Sequence, residues 1–348
     1  MMMNYKLLGK SGLRVSEICL GTMTFGEEWG YGANKEESRK IFNAFIQAGG
    51  NFIDTANRYT EGTSEIFLGE FIKESHRRDE LVIATKYSLV TKHDRINDGG
   101  NHRKNLVQSI EGSLKRLQLD YIDLLYLHAW DYTTPEEEVM RALDDLIRTG
   151  KVLYIAISDT PAWVIARCNA IAELRGWSRF IAIQAEYSLI TRDAERELLP
   201  LANHDDMMIT AWAPLAGGAL TGKYLKQDAT PKRLKEGSKR LNEKSMAIAK
   251  AVVNIAKLNH ANPTQVALQW IMQKSNRIIP VVGARNADQL KDSLQVLNFK
   301  LTEKDFLHLD QISSIELGFP HDFLNSDSVR QVLHGGLYHK IINHHKKV

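Results

Sequence analysis

The sequence predicts an α/β fold of eight βα units, on two observations. Apolar runs of strand length recur as ICLG, NFID, LVIAT, YIDLLYL, VLYIAIS, FIAIQ, MMITAW and RIIPVVG, each followed by a loop and a helical pattern. Runs of this kind, without polar alternation, suit parallel strands buried on both faces. Helix signals fall between them. In PEEEVMRALDDLIRTG, Thr134 is placed to cap, Pro135 suits the first turn, Val139, Leu143, Leu146 and Ile147 form one stripe, and Gly150 ends the helix. Thr160 and Pro161 repeat the start signal before WVIARCNAIAELRG. Right-handed crossovers joining eight such units give a closed parallel barrel, and strand counting leaves an open doubly wound sheet as the alternative.

Outside the eight units, YKLLGKSGLRVSEI predicts an N-terminal hairpin turning near Gly12, within residues 1–17. Residues 215–245, after the seventh strand, exceed an ordinary connection and carry Lys223, Lys226, Lys232, Arg233, Lys235, Lys239 and Arg240. Such a segment is either a functional loop over the active face or a solvated basic loop. In the tail, 316–348, aromatic and aliphatic residues predict that part of it packs on the barrel. With no linker and no low-complexity segment, residues 1–348 read as a single domain.

At 348 residues, 43% hydrophobic and 25% charged, the composition is that of a globular protein rather than a disordered or membrane chain. A formal charge of +3 with no basic arm gives no support for a nucleic-acid partner. Cys19 and Cys168 suggest neither a disulfide framework nor a cysteine metal site. The first twenty residues lack a signal-peptide apolar core, and no run approaches the roughly 18 residues of a membrane span. The expectation is a cytoplasmic protein without a membrane partner; its oligomeric state is not legible.

Asp54, Tyr59, Lys86 and His128 lie at or just beyond the ends of three successive predicted strands, where an α/β barrel builds its active site. Together they can protonate a carbonyl oxygen. Tyr59 would be the acid, Lys86 the neighbouring charge, Asp54 the carboxylate keeping that lysine protonated, and His128 a hydrogen-bond donor to the carbonyl. Unit charges about 4 Å apart at an effective dielectric of about 20 interact by roughly 4 kcal/mol, or about three pKa units. Lys86 is therefore expected to draw Tyr59 towards physiological pH. Plainer readings exist for each: a turn cap, a loop aromatic, a rim ion pair and a rim histidine. A zinc site on Asp54 and His128 has no third ligand with recognisable spacing, so no metal is expected.

The words DTANRYTEGTSEIFLG, LVIATKY and YIDLLYLHAWD resemble the aldo-keto reductase superfamily, and the resemblance runs over nearly the whole chain. It implies a TIM barrel whose hairpin plugs the floor, and it places the four residues at the family's catalytic tetrad. The implied reaction is reversible NADPH-dependent reduction of an aldehyde or ketone to the alcohol, with a small-molecule carbonyl compound as substrate. The likeness extends to potassium-channel β-subunits, which implies as an alternative a nicotinamide-nucleotide redox sensor with slow turnover.

Hydride chemistry needs a carrier, and no GxGxxG follows a strand here, so a Rossmann site is not indicated. The resemblance instead places Ser158, Asp159 and Gln184 at the nicotinamide carboxamide and Trp212 against its ring. Backbone at Leu215, Gly217 and Leu220 would approach the pyrophosphate, with Lys223 and the rest of the basic loop folded over it. Gly283, Arg285, Gln289 and Ser293 would line the adenosine end beside a helix capped by Asn286. Arg285 suits a 2′-phosphate, which favours NADPH/NADP+ while leaving NADH possible. The chain departs from the family's usual pattern at Asp159 and Ser293, where asparagine is common, and at Ala284, where serine is frequent. Phe25, Trp29, Tyr31 and Trp130 are expected around the mouth as substrate contacts, with loop packing as their plainer reading.

Overall fold

The computed structural model describes residues 3–342 apart from 93, 226–233 and 236. Lys226, Lys232 and Arg233 of the basic loop, and the last six residues of the tail, lie outside that description.

Two short strands, β1 (Tyr5–Leu7) and β2 (Arg14–Ser16), pair antiparallel as the N-terminal hairpin. Eight parallel strands follow: β3 (Cys19–Gly21), β4 (Phe52–Asp54), β5 (Val82–Tyr87), β6 (Ile122–Leu127), β7 (Val152–Ser158), β8 (Phe180–Glu186), β9 (Met208–Trp212) and β10 (Ile278–Val282). They pair in chain order, and β10 closes on β3 with Val281 opposite Cys19, so the barrel is closed and the open-sheet alternative falls. Helices α1 (Lys35–Gln47), α2 (Thr63–Ser75), α3 (Arg103–Leu117), α4 (Glu136–Arg148), α5 (Ala162–Arg175), α6 (Leu198–Asp205), α7 (Glu243–Leu258), α8 (Pro263–Lys274) and α9 (Ala287–Leu294) run between or after the strands. Beyond them come α10 (Glu303–Ile312), α11 (His321–Asn325) and α12 (Asp327–Leu333).

Alternation along the strands divides the apolar residues into two cores. Phe52, Ala84, Leu124, Tyr126, Ala156, Ala182 and Met208 fill the barrel interior, whereas Ile53, Ile83, Leu125, Ile155 and Ile183 face the helices. Leu8 and Val15 of the hairpin join the interior set, so the hairpin plugs the floor. Lys6 Nζ donates to the Ile278 carbonyl there at 3.0 Å. Because side chains repeat every second residue, continuing the interior rows upward brings Asp54, Lys86, His128, Ser158, Gln184 and Trp212 to the opposite mouth.

Two caps differ from expectation. Pro135 and Pro161 occupy the N-cap positions of α4 and α5, and neither has a side chain that can cap. The Thr134 hydroxyl donates to Asp131 Oδ2 and the Thr160 hydroxyl to the Ser158 carbonyl, because both threonines turn back to the loop that ends the preceding strand. The tail also departs from its reading. Among its described residues the polar attachments run from Arg196 to the Glu316 carbonyl and from His321 to Glu197, while Phe319, Phe323, Val332, Leu333 and Tyr338 are exposed. Among the described residues, no helix is long and apolar enough to cross a membrane.

Gly9 and Gly12 test how the hairpin seats. At Gly9, φ is 55° and a Cβ would lie 2.1 Å from the Ile181 carbonyl oxygen, whereas a Cβ on Gly12 meets nothing within 4 Å. Gly9→Ala is expected to lower unfolding stability by about 2 kcal/mol or more, and Gly12→Ala to stay within about 0.5 kcal/mol, as read by chemical denaturation.

Candidate active site

Lys86 lies at the centre of the mouth with no exposed surface. Its Nζ donates to Asp54 Oδ2 at 2.6 Å, to the Thr55 carbonyl at 2.9 Å and to the Tyr59 hydroxyl at 3.0 Å. Gln184 Nε2, from the far side of the barrel, donates to the other Asp54 oxygen at 3.0 Å. The His128 ring stands edge-on to Tyr59, with centroids 5.9 Å apart. The four residues singled out in the sequence therefore meet in one place.

Their protonation follows from burial and neighbours. Desolvation would lower the Lys86 pKa, but Asp54 and then Tyr59 outweigh it and hold the ammonium above its ordinary value. Burial pushes the Tyr59 phenol up, and the opposing pull of Lys86 does not overcome it. This corrects the expectation that Lys86 brings Tyr59 towards neutral pH: the ammonium is shared with Asp54, whose charge itself disfavours a phenolate. Burial, with Lys86 adding, drives His128 down to about 3, so its imidazole is neutral. Among the described residues its Nδ1, which is buried, has no hydrogen-bond partner.

Tyr59 opens a single 3₁₀ turn in which Thr60 and Glu61 have φ of 47° and 56°. Left-handed backbone of this kind costs roughly 1–2 kcal/mol per L-residue, so tertiary contacts must hold it. The Thr60 hydroxyl donates to the Phe25 carbonyl at 2.6 Å, and Glu61 Oε1 accepts the Trp29 indole N–H at 3.0 Å. Trp29 in turn lies edge-on to Tyr59 and beside Tyr31, both at 6.3 Å between centroids. Trp130 is half-buried against the core at the same mouth. Phe25 does not belong with these: it has no exposed surface and packs edge-on against Phe71, so its ring serves the core beneath the loop.

The residues assigned to a dinucleotide lie at the ends of β7, β8 and β9, in the loop after β9 and after β10. Ser158 ends β7 and is buried; Asp159 follows at φ 38° and accepts the Trp212 indole N–H on Oδ1 at 3.2 Å. Arg240 lies over the Trp212 ring at 5.9 Å and pairs with Glu186 at 2.6 Å, which fastens the described end of the long loop to β8. Leu215 is half-buried and Leu220 has no exposed surface. Gly217 and Gly218 have φ of 67° and 90°, and a Cβ on Gly217 would lie 2.8 Å from Leu234, so glycine here lets the loop side chain pack directly on the backbone. Lys223 Nζ lies 2.8 Å from where a Gly218 Cβ would stand, so its cation sits beside that backbone.

After β10, Gly283 is exposed, and Asn286 caps α9 by accepting from the Gln289 amide at 2.9 Å, as expected. Gln289 Oε1 accepts from the Arg285 amide, and the Ser293 hydroxyl donates to the Gln289 carbonyl, which turns that hydroxyl back into the helix. The start of α9 beside Arg285 is already engaged, with the Ala287 amide donating to Glu37 Oε1 at 2.9 Å and the Gln289 amide to Asn286, so Glu37 is the anion at this helix N-terminus. Among the described residues no three metal-ligating side chains gather, so Asp54 and His128 find no third partner. Glu61 and Glu186 carry little signal in the sequence; Glu61 stands two residues beyond Tyr59 in DTANRYTEGTSE, the one feature that draws attention to it.

A family model described as the aldo/keto reductase family matches residues 17–314. The chain is 37% identical to norsolorinic acid reductase of Aspergillus flavus, over 91% of this chain and 83% of that protein. It is also 37% identical to an aryl-alcohol dehydrogenase [NADP(+)] of Phanerodontia chrysosporium, over 94% of this chain and 90% of that protein. With a putative aryl-alcohol dehydrogenase of Saccharomyces cerevisiae the identity is 35%, over 92% and 90%.

The depressed His128 value has a definite sign. The native state refuses a proton that the unfolded chain accepts, so this contribution to stability is complete above the ordinary histidine pKa of about 6.5 and is lost as pH falls towards about 3. The ring resonances of His128, assigned with a His128→Gln variant, are expected not to shift between about pH 8 and about pH 5, the range in which an unperturbed histidine titrates.

Proposed function

Since the chain belongs to the aldo/keto reductase family, we propose that it catalyses reversible NADPH-dependent reduction of aldehydes and ketones, with aromatic carbonyl compounds as its substrate class. The observation that carries this reading is the Tyr59 hydroxyl, 3.0 Å from a fully buried ammonium that is itself fixed by Asp54. Such a phenol is protonated at rest, and the anion it leaves is stabilised by Lys86.

Substrate oxygen is held between Tyr59 and His128. An N–H on the unpartnered Nδ1 would be a buried unsatisfied donor, so the His128 proton belongs on Nε2, where it can donate to that oxygen. As negative charge grows on the oxygen, Tyr59 gives up its proton and Lys86 faces the resulting phenolate. Asp54 keeps Lys86 charged and aimed, and Gln184 holds Asp54 in turn. NADPH supplies the hydride when bound, chemistry that no side chain provides. Ser158, Asp159 and Gln184 would bind its carboxamide, and Trp212 its ring. Backbone at Leu215, Gly217 and Leu220, with Lys223, would hold the pyrophosphate; Gly283, Arg285, Gln289 and Ser293 would hold the adenosine end. Arg285 and the NADP(+) in one relative's name support a 2′-phosphate. Trp29 and Tyr31 form an aromatic wall beside Tyr59, Trp130 would contact substrate from the loop after β6, and the two relatives named for aryl alcohols support aromatic substrates.

Consumption of NADPH by the purified protein, followed across a panel of aromatic and aliphatic aldehydes and ketones, tests the reading. Tyr59→Phe should lower kcat by about 100-fold or more, the scale of a lost general acid, with NADPH affinity within about twofold. Near-normal turnover in that variant would remove Tyr59 as the donor. Arg285→Ala should reduce the preference for NADPH over NADH by about tenfold, the scale of one charge-assisted contact; an unchanged ratio refutes its role.

A further inference from the structure

One carboxylate joins the loop after β3 to the turn that carries Tyr59. Glu61 Oε1 accepts the Trp29 indole N–H at 3.0 Å, and Oε2 pairs with Arg58. The same two segments are tied again by the Thr63 hydroxyl to Glu28 and by the Thr60 hydroxyl to the Phe25 carbonyl. Trp29 stands edge-on to Tyr59, with rings 6.3 Å apart at 79°. An indole on a loop has two torsions to search, and a bond to its N–H fixes both at once. Glu61 itself is largely exposed, and an exposed ion pair contributes little to fold stability. Its left-handed backbone therefore needs an explanation in what the side chain holds.

We propose that Glu61 is a positioning residue for substrate selection, holding the Trp29 indole at one orientation against Tyr59 so that an aromatic carbonyl is seated with its oxygen at the phenol. The inference rests on the reductase reading for its substrate class. A small aliphatic carbonyl touches little of the indole and gains little from its being fixed. Glu61 acts through Trp29, so its effect belongs to the choice between substrates.

The test combines kinetics with a binding measurement that needs no turnover. Activity with benzaldehyde and with propanal is compared in wild type, Glu61→Ala, Glu61→Gln, Trp29→Phe and the Trp29→Phe/Glu61→Ala double variant. Calorimetry measures benzamide binding to the same proteins saturated with NADP+. Glu61→Ala should shrink the preference for benzaldehyde over propanal about 5- to 10-fold, the scale of one lost hydrogen bond, and weaken benzamide by a similar factor. Glu61→Gln keeps an oxygen acceptor for the indole and should restore both to within about twofold of wild type. In the Trp29→Phe background, which has no indole N–H, Glu61→Ala should add nothing.

Wild-type behaviour in Glu61→Ala, failure of Glu61→Gln to rescue, or an equal loss in the Trp29→Phe background overturns the proposal, while turnover of either aldehyde leaves the reductase reading intact. Benzamide binding in the expected order with no turnover of either aldehyde upholds the clamp and removes the reductase reading. A wild-type protein that neither prefers benzaldehyde nor binds benzamide overturns the clamp.

Discussion

A lysine ammonium with no exposed surface is the constraint on which the mouth of this barrel depends. Removing such a charge from water costs several kcal/mol, and it persists only where partners surround it. Lys86 has three acceptors, and each comes from a different part of the chain: the end of β4, the bend after it, and the turn carrying Tyr59. Gln184 adds a fourth contact by reaching across the barrel to Asp54. The geometry is thus set by the need to satisfy one cation, before any ligand arrives. Burial, which the shared ammonium does not overcome, holds the Tyr59 phenol above its ordinary value, so it keeps its proton.

Around this rigid centre the loops are fastened by single polar links on aromatic rings. Trp29 is tied to Glu61, and Trp212 is tied to Asp159 while lying under Arg240. Each link aims a flat apolar surface at the mouth. Barrel strands place the charged groups through strand alternation, whereas the loops place aromatic faces through one hydrogen bond each.

Much of the barrel was legible because its signals are local and repetitive. Eight doubly buried strands read as unbroken apolar runs, and the Asn286 cap follows from side-chain chemistry at a helix start. The convergence of Asp54, Lys86 and His128 was legible because each sits on an interior row of its strand or directly continues one. What escaped the sequence depends on distance and direction. Phe25 looks like its neighbours Trp29 and Tyr31, yet its ring turns under the loop onto Phe71. Thr134 and Thr160 precede prolines at helix starts, but their hydroxyls found acceptors in the loops behind them. The direction of the Tyr59 shift required weighing burial against an ammonium already shared with a carboxylate, a balance set by contacts 27 and more residues away in sequence. The apolar residues of the tail promised packing, and polar anchors at Arg196 and Glu197 hold it instead.

The seam between β10 and β3 has a consequence for how the molecule is made. Val281 lies beside Cys19, so the two strands that meet there are the first and the last of the barrel to be synthesised. Until residues 278–282 have left the ribosome, β3 and β9 are both open edges with unpaired backbone groups, the kind of surface that recruits other strands. Closure of so long a loop is entropically slow compared with forming each βα unit. Between the synthesis of β9 and that of β10 the growing chain can form at most a seven-stranded sheet with two exposed edges, and its exposure to misassembly ends only with the arrival of one five-residue segment.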